Sequence, residues 1–278
     1  MNELNKNNFS YWFPMIKDCA LFKVPKSKIF YVPEKVQKCF YCYDSGLPYE
    51  EWNKTVDEWL EQEVLPFIKG KGLVFNKNAV FSDKFNFQNC ISRVDNIKKH
   101  ILDINYNSLV TGAGGLEELV IREVIPYAQE ITPCIYSGLP LRTEFRCFYD
   151  FDAKELLYTV NYWDYDYCAK SMEYNATDRI IFEHERTRLE TDFNRHKTEV
   201  ENMIENSMKD VELQGIWSID ILMDEYKNYW LIDMALAQNS AYWNGEKERW
   251  SMNCKLQELI NNAQTSDMFS EFQNGKRE

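Results

Sequence analysis

The sequence lacks long apolar runs and has no apolar segment at its start. No stretch among its 278 residues approaches the ~18 consecutive apolar residues of a membrane-crossing helix. The first eight residues, Met-Asn-Glu-Leu-Asn-Lys-Asn-Asn, do not contain the apolar core of a secretion signal. We therefore expect a cytoplasmic protein with no membrane partner.

The sequence also lacks the spacings of common metal and phosphate sites. Its eight cysteines are scattered, and Cys39 and Cys42 have neither a second pair nor a histidine nearby. We expect free thiols, with a zinc knuckle or a thioredoxin-like site as the alternative. His184 begins a zinc-protease pattern, but Arg188 stands where the second histidine is needed. The glycines of residues 112–115 precede a strand, which favours a plain loop over a phosphate loop.

The composition that is present is that of a globular protein, with 45% hydrophobic, 15% aromatic and 27% charged residues. The length suits one large domain or two smaller ones. The net charge is −12, but residues 1–40 hold seven lysines against three acidic residues, a local charge of +4 that leaves −16 on the remainder. We interpret these lysines as a solvated surface and expect no nucleic-acid partner.

Hydrophobic periodicity predicts a mixed order of helices and strands. Helical spacing is present over residues 50–68, with a kink near Pro66, and over residues 94–104 and 180–211. Short extended segments are predicted over residues 11–14 and 29–33, because prolines interrupt them. Strands are predicted over residues 73–75, 119–125, 142–149, 156–163, 216–222 and 229–233. This order indicates an α+β fold with antiparallel strands.

Charged residues interrupt the predicted strands in a defined order. Lys77 and Lys84 flank a loop after a short strand, which suits the binding of nucleotide phosphates. Arg122 and the arginines of residues 142–146 lie in otherwise apolar strands, where an unpaired buried charge is costly. Each feature taken alone is also typical of surface charge at a strand end.

Two aspartates complete the pattern. Asp220 and Asp233 lie in consecutive strands, at positions whose period could put both on one face. Carboxylates in this arrangement suit a nucleotide-bound Mg²⁺. The joint order, cations first and two strand-borne aspartates last, favours a site for a nucleotide with Mg²⁺ over chance surface charge.

Together these motifs resemble those of the ATP-grasp fold and, within it, those of the cell division cycle protein 123 family, over about residues 10–240. Lys77, Ser82 and Lys84 are similar to the family's phosphate-binding loop, and residues 118–122 resemble its adenine-hinge strand. Residues 144–148, Glu-Phe-Arg-Cys-Phe, are the most specific word. The resemblance implies two lobes, with antiparallel sheets, that clamp a nucleotide.

The resemblance also implies a role for each site residue. The α- and β-phosphates would bind Lys77 and Lys84 beside Ser82, and the γ-phosphate would bind Arg146, with Glu144 as an orienting acid. Adenine would bind the hinge strand at Arg122, Glu123, Val124 and Ile125. Mg²⁺ would bind Asp220 and Asp233. No catalytic residue is assigned.

Two departures from the family pattern are visible. Ala235 stands where the family usually has an asparagine that completes the metal site, although Gln238 or Asn239 could supply that ligand. Residues 162–164, Tyr-Trp-Asp, stand where the family tends to have Gln-Arg-Asp.

The predicted organisation is a lysine-bearing lobe over residues 1–115, a lobe with the metal site over residues 116–261 and a polar tail over residues 262–278. Family members in eukaryotes bind ATP and Mg²⁺ and act as assembly chaperones for translation initiation factor 2. The resemblance thus implies a chaperone-like or regulatory module with a protein partner. The alternative is an ATP-dependent ligase that joins a small carboxylate to an amine.

Overall fold

The computed structural model describes residues 5–40, 48–128, 131–173 and 175–245, which form helices and antiparallel sheets. The α-helices are α1 (Phe9–Ile16), α2 (Glu34–Phe40), α3 (Tyr49–Trp59), α4 (Leu65–Ile68), α5 (Ile97–Val110), α6 (Tyr165–Ser171) and α7 (Ala176–Met208). A π-helical turn (Leu60–Val64) joins α3 to α4, and 3₁₀ turns cover Lys84–Cys90 and Ala237–Asn239.

The strands build two four-stranded sheets and one small hairpin. They are β1 (Ser27–Tyr31), β2 (Val74–Asn78), β3 (Ile91–Ser92), β4 (Glu118–Glu123), β5 (Cys134–Ile135), β6 (Leu139–Pro140), β7 (Glu144–Asp150), β8 (Glu155–Asn161), β9 (Ile216–Met223) and β10 (Tyr229–Leu236). The first sheet has the order β1-β4-β2-β3 and the second sheet β10-β9-β7-β8, and neighbouring strands are antiparallel in both. The predicted α+β class with two antiparallel sheets is confirmed.

The two faces of β4 belong to different cores. Leu119 and Ile121 pack with α3 and α5, whereas Val120 belongs to the cluster that contains α1, α7 and the second sheet. Successive side chains of a strand point to opposite faces. The face of the first sheet that carries Val120 is therefore turned toward the second sheet.

Helix α1 was predicted as an extended segment, and that prediction is wrong. Its buried residues, Phe9, Trp12, Phe13 and Ile16, follow the i, i+3, i+4, i+7 spacing of one helix face. Pro14 lies inside the helix. Burial of this aromatic face outweighs the backbone hydrogen bond that Pro14 cannot donate.

The other predicted elements are present with shifted ends. The helix predicted over residues 94–104 runs from Ile97 to Val110, and α7 begins at Ala176, earlier than predicted. The kink near Pro66 is a π-helical turn directly before α4. No helix in the described part of the chain has both the length and the apolar character needed to cross a membrane.

The predicted division near residues 115 and 116 stays a prediction. Strand β4, which follows that point, pairs with β1 and β2 in the first sheet. The predicted polar tail over residues 262–278 lies outside the described residues.

Replacing Phe9 by alanine should lower the free energy of unfolding by about 3–5 kcal/mol, because the buried ring leaves a cavity in the core. Met15→Ala on the same helix is the matched control. Its side chain is 42% exposed, and we expect a change of less than about 0.5 kcal/mol. Urea denaturation followed by tryptophan fluorescence measures both. Equal losses in the two variants would contradict the placement of α1.

Candidate functional site: a cleft between two sheets

A cleft between the two sheets collects the predicted binding residues. Of these residues, all except Arg146 line the cleft. The remaining lining residues are Pro25, Phe75, Phe87, Ile91, Tyr127, Leu139, Pro140, Arg142, Tyr162, Trp163, Leu222 and Ile232. The predicted phosphate loop, hinge and aspartates therefore share one cavity.

An ion pair joins the two sheets at the base of this cleft. The Nζ atom of Lys77 on β2 donates to Oδ1 and Oδ2 of Asp233 on β10, at 3.1 and 2.9 Å. Lys77 is only 1% exposed, whereas the Asp233 side chain is 38% exposed toward the cleft. Because an unpaired buried ammonium is costly, Asp233 holds Lys77 in place.

A second ion pair lies within the second sheet. Arg146 and Asp220 are directly opposite on β7 and β9. The guanidinium donates through Nε and a terminal nitrogen to the two oxygens of Asp220, at 2.8 and 2.7 Å. Burial lowers the pKa of Arg146, but the Asp220 carboxylate more than offsets this, so the pKa is raised overall. The predicted γ-phosphate ligand is thus bonded to a predicted metal ligand.

A β-bulge at Ile232 brings the two aspartates opposite each other. The register between β9 and β10 shifts between Leu231 and Asp233, which places Asp233 rather than Ile232 across from Asp220. The Ile232 carbonyl accepts a hydrogen bond from Arg122 on β4 at 2.8 Å. The bulge therefore positions an aspartate and also anchors an arginine of the other sheet.

The lysine loop after β2 is fixed by a buried aspartate. Asp83 accepts hydrogen bonds from the amides of Asn89 and Asn107, at 2.8 and 2.6 Å. The loop presents the half-buried Ser82 and Lys84 to the cleft. Lys84 has no ion-pair partner within 4.0 Å among the described residues.

Two arginines in the cleft also have no ion-pair partner in the described part of the chain. Burial lowers the pKa of Arg122 to about 10, although Asp233 and Glu123 oppose the shift. Burial likewise lowers the pKa of Arg142. The Nε atoms of both arginines are buried without a hydrogen-bond partner. These groups favour a negatively charged ligand.

The predicted hinge comprises the end of β4 and the two residues that follow it, and it lines the cleft. The exposed Glu123 pairs with the backbone of Lys26, through its N–H and its carboxylate, each at 2.9 Å. The backbone N–H groups of Val124 and Ile125 donate to no described atom. Apolar and aromatic side chains, including Phe75, line the same cavity. A planar base with hydrogen-bonding edges suits these surroundings.

Glu144 is a buried acid that lines the cleft. Burial raises its pKa to about 7, with a further contribution from Asp220, while Arg142 lowers it. Its carboxyl group makes no hydrogen bond to a described residue. This carboxyl group therefore exchanges its proton near neutral pH.

Sequence reasoning assigned no role to Arg142 or Tyr162, although both line the cleft. Arg142 interrupts an apolar strand, which was the available signal. Tyr162 gave only the signal of a departure from the family pattern.

The structure gives little support to Gln238 or Asn239 as a metal ligand, or to a metal site at Cys39 and Cys42. Asn239 accepts a hydrogen bond from Asn7 at 3.1 Å, and neither Asn239 nor Gln238 lines the cleft. In the described part of the chain, no three or more His, Cys, Asp or Glu side chains form a group that could hold a metal ion. Cys39 is buried, and Cys42 lies outside the described residues.

No protein-family profile and no curated protein sequence matches the chain. Among solved structures, the chain is similar to Cdc123 from Schizosaccharomyces pombe, with 15% identity, 94% of each chain covered and a TM-score of 0.47. It is similar to the ATP-grasp ligase PsnB, with 10% identity, 92% of this chain and 60% of that chain covered and a TM-score of 0.35. It is also similar to the D-alanine-D-alanine ligase from Coxiella burnetii, with 8% identity, 82% and 46% covered and a TM-score of 0.38.

The raised pKa of Glu144 predicts a loss of stability as the pH rises from 4.5 to 7. In this range the folded protein keeps the proton and the unfolded chain, whose carboxyl has its ordinary pKa of 4.5, has lost it. Relative to Glu144→Gln, the wild type should lose about 2–3 kcal/mol of unfolding free energy across this window. Urea denaturation at a series of pH values measures the difference.

Glu173→Gln, at an exposed position, is the matched control and should follow the wild type. A wild-type profile parallel to that of Glu144→Gln would show that Glu144 is ionised throughout.

Proposed function

We propose that the cleft binds ATP together with Mg²⁺ and that the protein is an ATP-grasp clamp. The observation that carries this is a set of three cations in the cleft that no carboxylate of the described residues pairs with. Lys84, Arg122 and Arg142 line the cleft without an ion-pair partner among the described residues, although the whole chain carries a net charge of −12. Cations held inside an apolar cavity are stabilised by an anion of matching size.

The cleft has separate groups for the two ends of a nucleotide. The N–H groups of Val124 and Ile125, which donate to no atom of the described residues, lie on the wall that would pair with adenine. Lys77 and Lys84 lie on the first sheet and its loop, where the phosphates would bind. This orientation of the nucleotide is the one that the sequence resemblance implies.

The two aspartates fit a magnesium ion. Mg²⁺ prefers oxygen ligands and is commonly held by one or two carboxylates plus substrate phosphates. Asp220 and Asp233 both line the cleft and are opposite each other. They would hold the ion, which would neutralise charge on the bound phosphates.

For the biological role we propose a chaperone-like or regulatory module that binds a protein partner when ATP is present. Both lobes contribute phosphate-binding residues, so a bound nucleotide would hold the lobes in one arrangement. A partner that recognises this arrangement would bind in an ATP-dependent manner.

The second candidate is a ligase that joins a carboxylate to an amine, favoured by Glu144. A carboxyl group with a pKa of about 7 suits proton transfer at neutral pH. In that reaction the carboxylate of the substrate takes the γ-phosphoryl group of ATP and ADP leaves. The amine then attacks the acyl phosphate, phosphate leaves, and Glu144 would accept the proton that the amine loses.

ATP with Mg²⁺, at about a hundred times its Kd, should raise the free energy of unfolding by about 2.7 kcal/mol. Lys84→Ala should weaken this stabilisation, because it removes a phosphate contact without leaving a buried acid unpaired. Lys170→Ala, at an exposed position on α6, is the matched control and should behave as the wild type. Denaturation with and without ATP and Mg²⁺ measures the effect, and no stabilisation of the wild type would refute nucleotide binding.

The two candidate roles differ in turnover. A binding module should retain ATP, whereas a ligase should release ADP and phosphate only when a carboxylate acceptor is added. We expect no such release with a panel of amino acids and dipeptides, measured by a coupled phosphate assay. ADP release that depends on one added carboxylate would establish the ligase instead.

A further inference from the structure

Tyr162 touches two cations at once. It follows β8 and lines the cleft. Its hydroxyl oxygen accepts a hydrogen bond from the Nζ atom of Lys84 at 2.6 Å. The guanidinium carbon of Arg146 lies 4.8 Å from the centroid of the same ring, and Lys84 Nζ lies at 4.8 Å as well. One neutral side chain therefore holds two positive charges near each other.

The two cations differ in how their charge is balanced. Arg146 has the Asp220 carboxylate as its partner, whereas Lys84 has no carboxylate within 4.0 Å among the described residues. Burial raises the pKa of Tyr162, so its hydroxyl stays neutral at physiological pH. A carboxylate at this position would neutralise Lys84, but the tyrosine fixes the ammonium and leaves its charge available.

The tyrosine itself is held in place. Its backbone N–H donates to the carbonyl of Glu144 at 3.1 Å. Its carbonyl accepts a hydrogen bond from the Tyr242 hydroxyl at 3.0 Å. The ring also packs edge-on against Trp163, with centroids 5.4 Å apart. A tyrosine whose backbone is held by two hydrogen bonds and whose ring packs against Trp163 can hold a flexible lysine in one position.

We propose that Tyr162 is a positioning residue, which holds the Lys84 ammonium at one place in the cleft, where it faces the phosphate chain of the nucleotide. This inference rests on the proposed binding of ATP. Lys84 has no carboxylate partner among the described residues, so an anionic ligand supplies its counter-charge. A chain of linked phosphates brings more negative charge to this ammonium than a monophosphate does, so Tyr162 favours ATP and ADP over AMP.

Calorimetric titration of the full chain with ATP, ADP and AMP, each with Mg²⁺, tests the role of Tyr162. Tyr162→Phe keeps the ring and removes the hydroxyl that holds Lys84. We expect it to weaken ATP and ADP binding about tenfold, as for a lost hydrogen bond to a charged group. Binding of AMP should change less than about twofold, because AMP lacks the β-phosphate that Lys84 would hold.

Tyr158→Phe on β8 is the matched control, since that hydroxyl donates to the Tyr242 carbonyl at 3.0 Å rather than holding a cation. It should bind all three nucleotides as the wild type does. Addition of Tyr162→Phe to Lys84→Ala should cause no further loss, because the hydroxyl then has no lysine to hold.

The contrary outcomes are distinct. If the wild type binds ATP and Tyr162→Phe binds it equally well, or loses AMP to the same extent as ATP, Tyr162 has no positioning role. If the wild type binds neither ATP nor ADP, the proposed function fails and the role of Tyr162 fails with it.

Discussion

The burial of Lys77 is the constraint on which the arrangement of the two sheets depends. Its ammonium group lies on a strand of the first sheet at 1% exposure, and its anionic partner, Asp233, is on an edge strand of the second. Separation of the sheets would leave a buried cation without a counter-charge, which costs several kcal/mol. Helix α1 closes the same seam, since the Phe9 ring lies 5.8 Å from Lys77 Nζ and 5.6 Å from the Arg122 guanidinium.

The bulge at Ile232 couples this seam to the cleft. A regular ladder would leave Ile232 opposite Asp220, and the chain of charges across the second sheet would be broken. With the bulge, Asp233, Asp220 and Arg146 occupy neighbouring positions on three consecutive strands. The same irregularity gives Arg122 a carbonyl acceptor across the seam. One extra residue in a strand thus sets both the ion pairs of the site and the contact between the sheets.

The sequence could predict which charged residues share the cleft, because it contains the residue types and their order along the strands. Lys77, Arg122, Asp220 and Asp233 stand out as charges in apolar strands, and strand pairing then brings them to one cleft. Their mutual partners could not be predicted, because these depend on register and on a bulge that no local pattern reveals. Helix α1 was missed because Pro14 argued against a helix, whereas its stability comes from tertiary burial of one face.

The distribution of charge in the cleft bears on the proposed ligand, a nucleotide bound together with a metal ion. In the described structure, Lys77 pairs with Asp233 and Arg146 pairs with Asp220. Lys84, Arg122 and Arg142 have no ion-pair partner among the described residues. Phosphates that attract Lys77 and Arg146 would leave Asp220 and Asp233 facing a polyanion. Asp220 and Asp233 would hold a divalent cation, whose charge would remove that repulsion. In the proposed complex, the nucleotide and Mg²⁺ therefore stabilise each other's binding, and this coupling arises from ion pairs that the protein already holds.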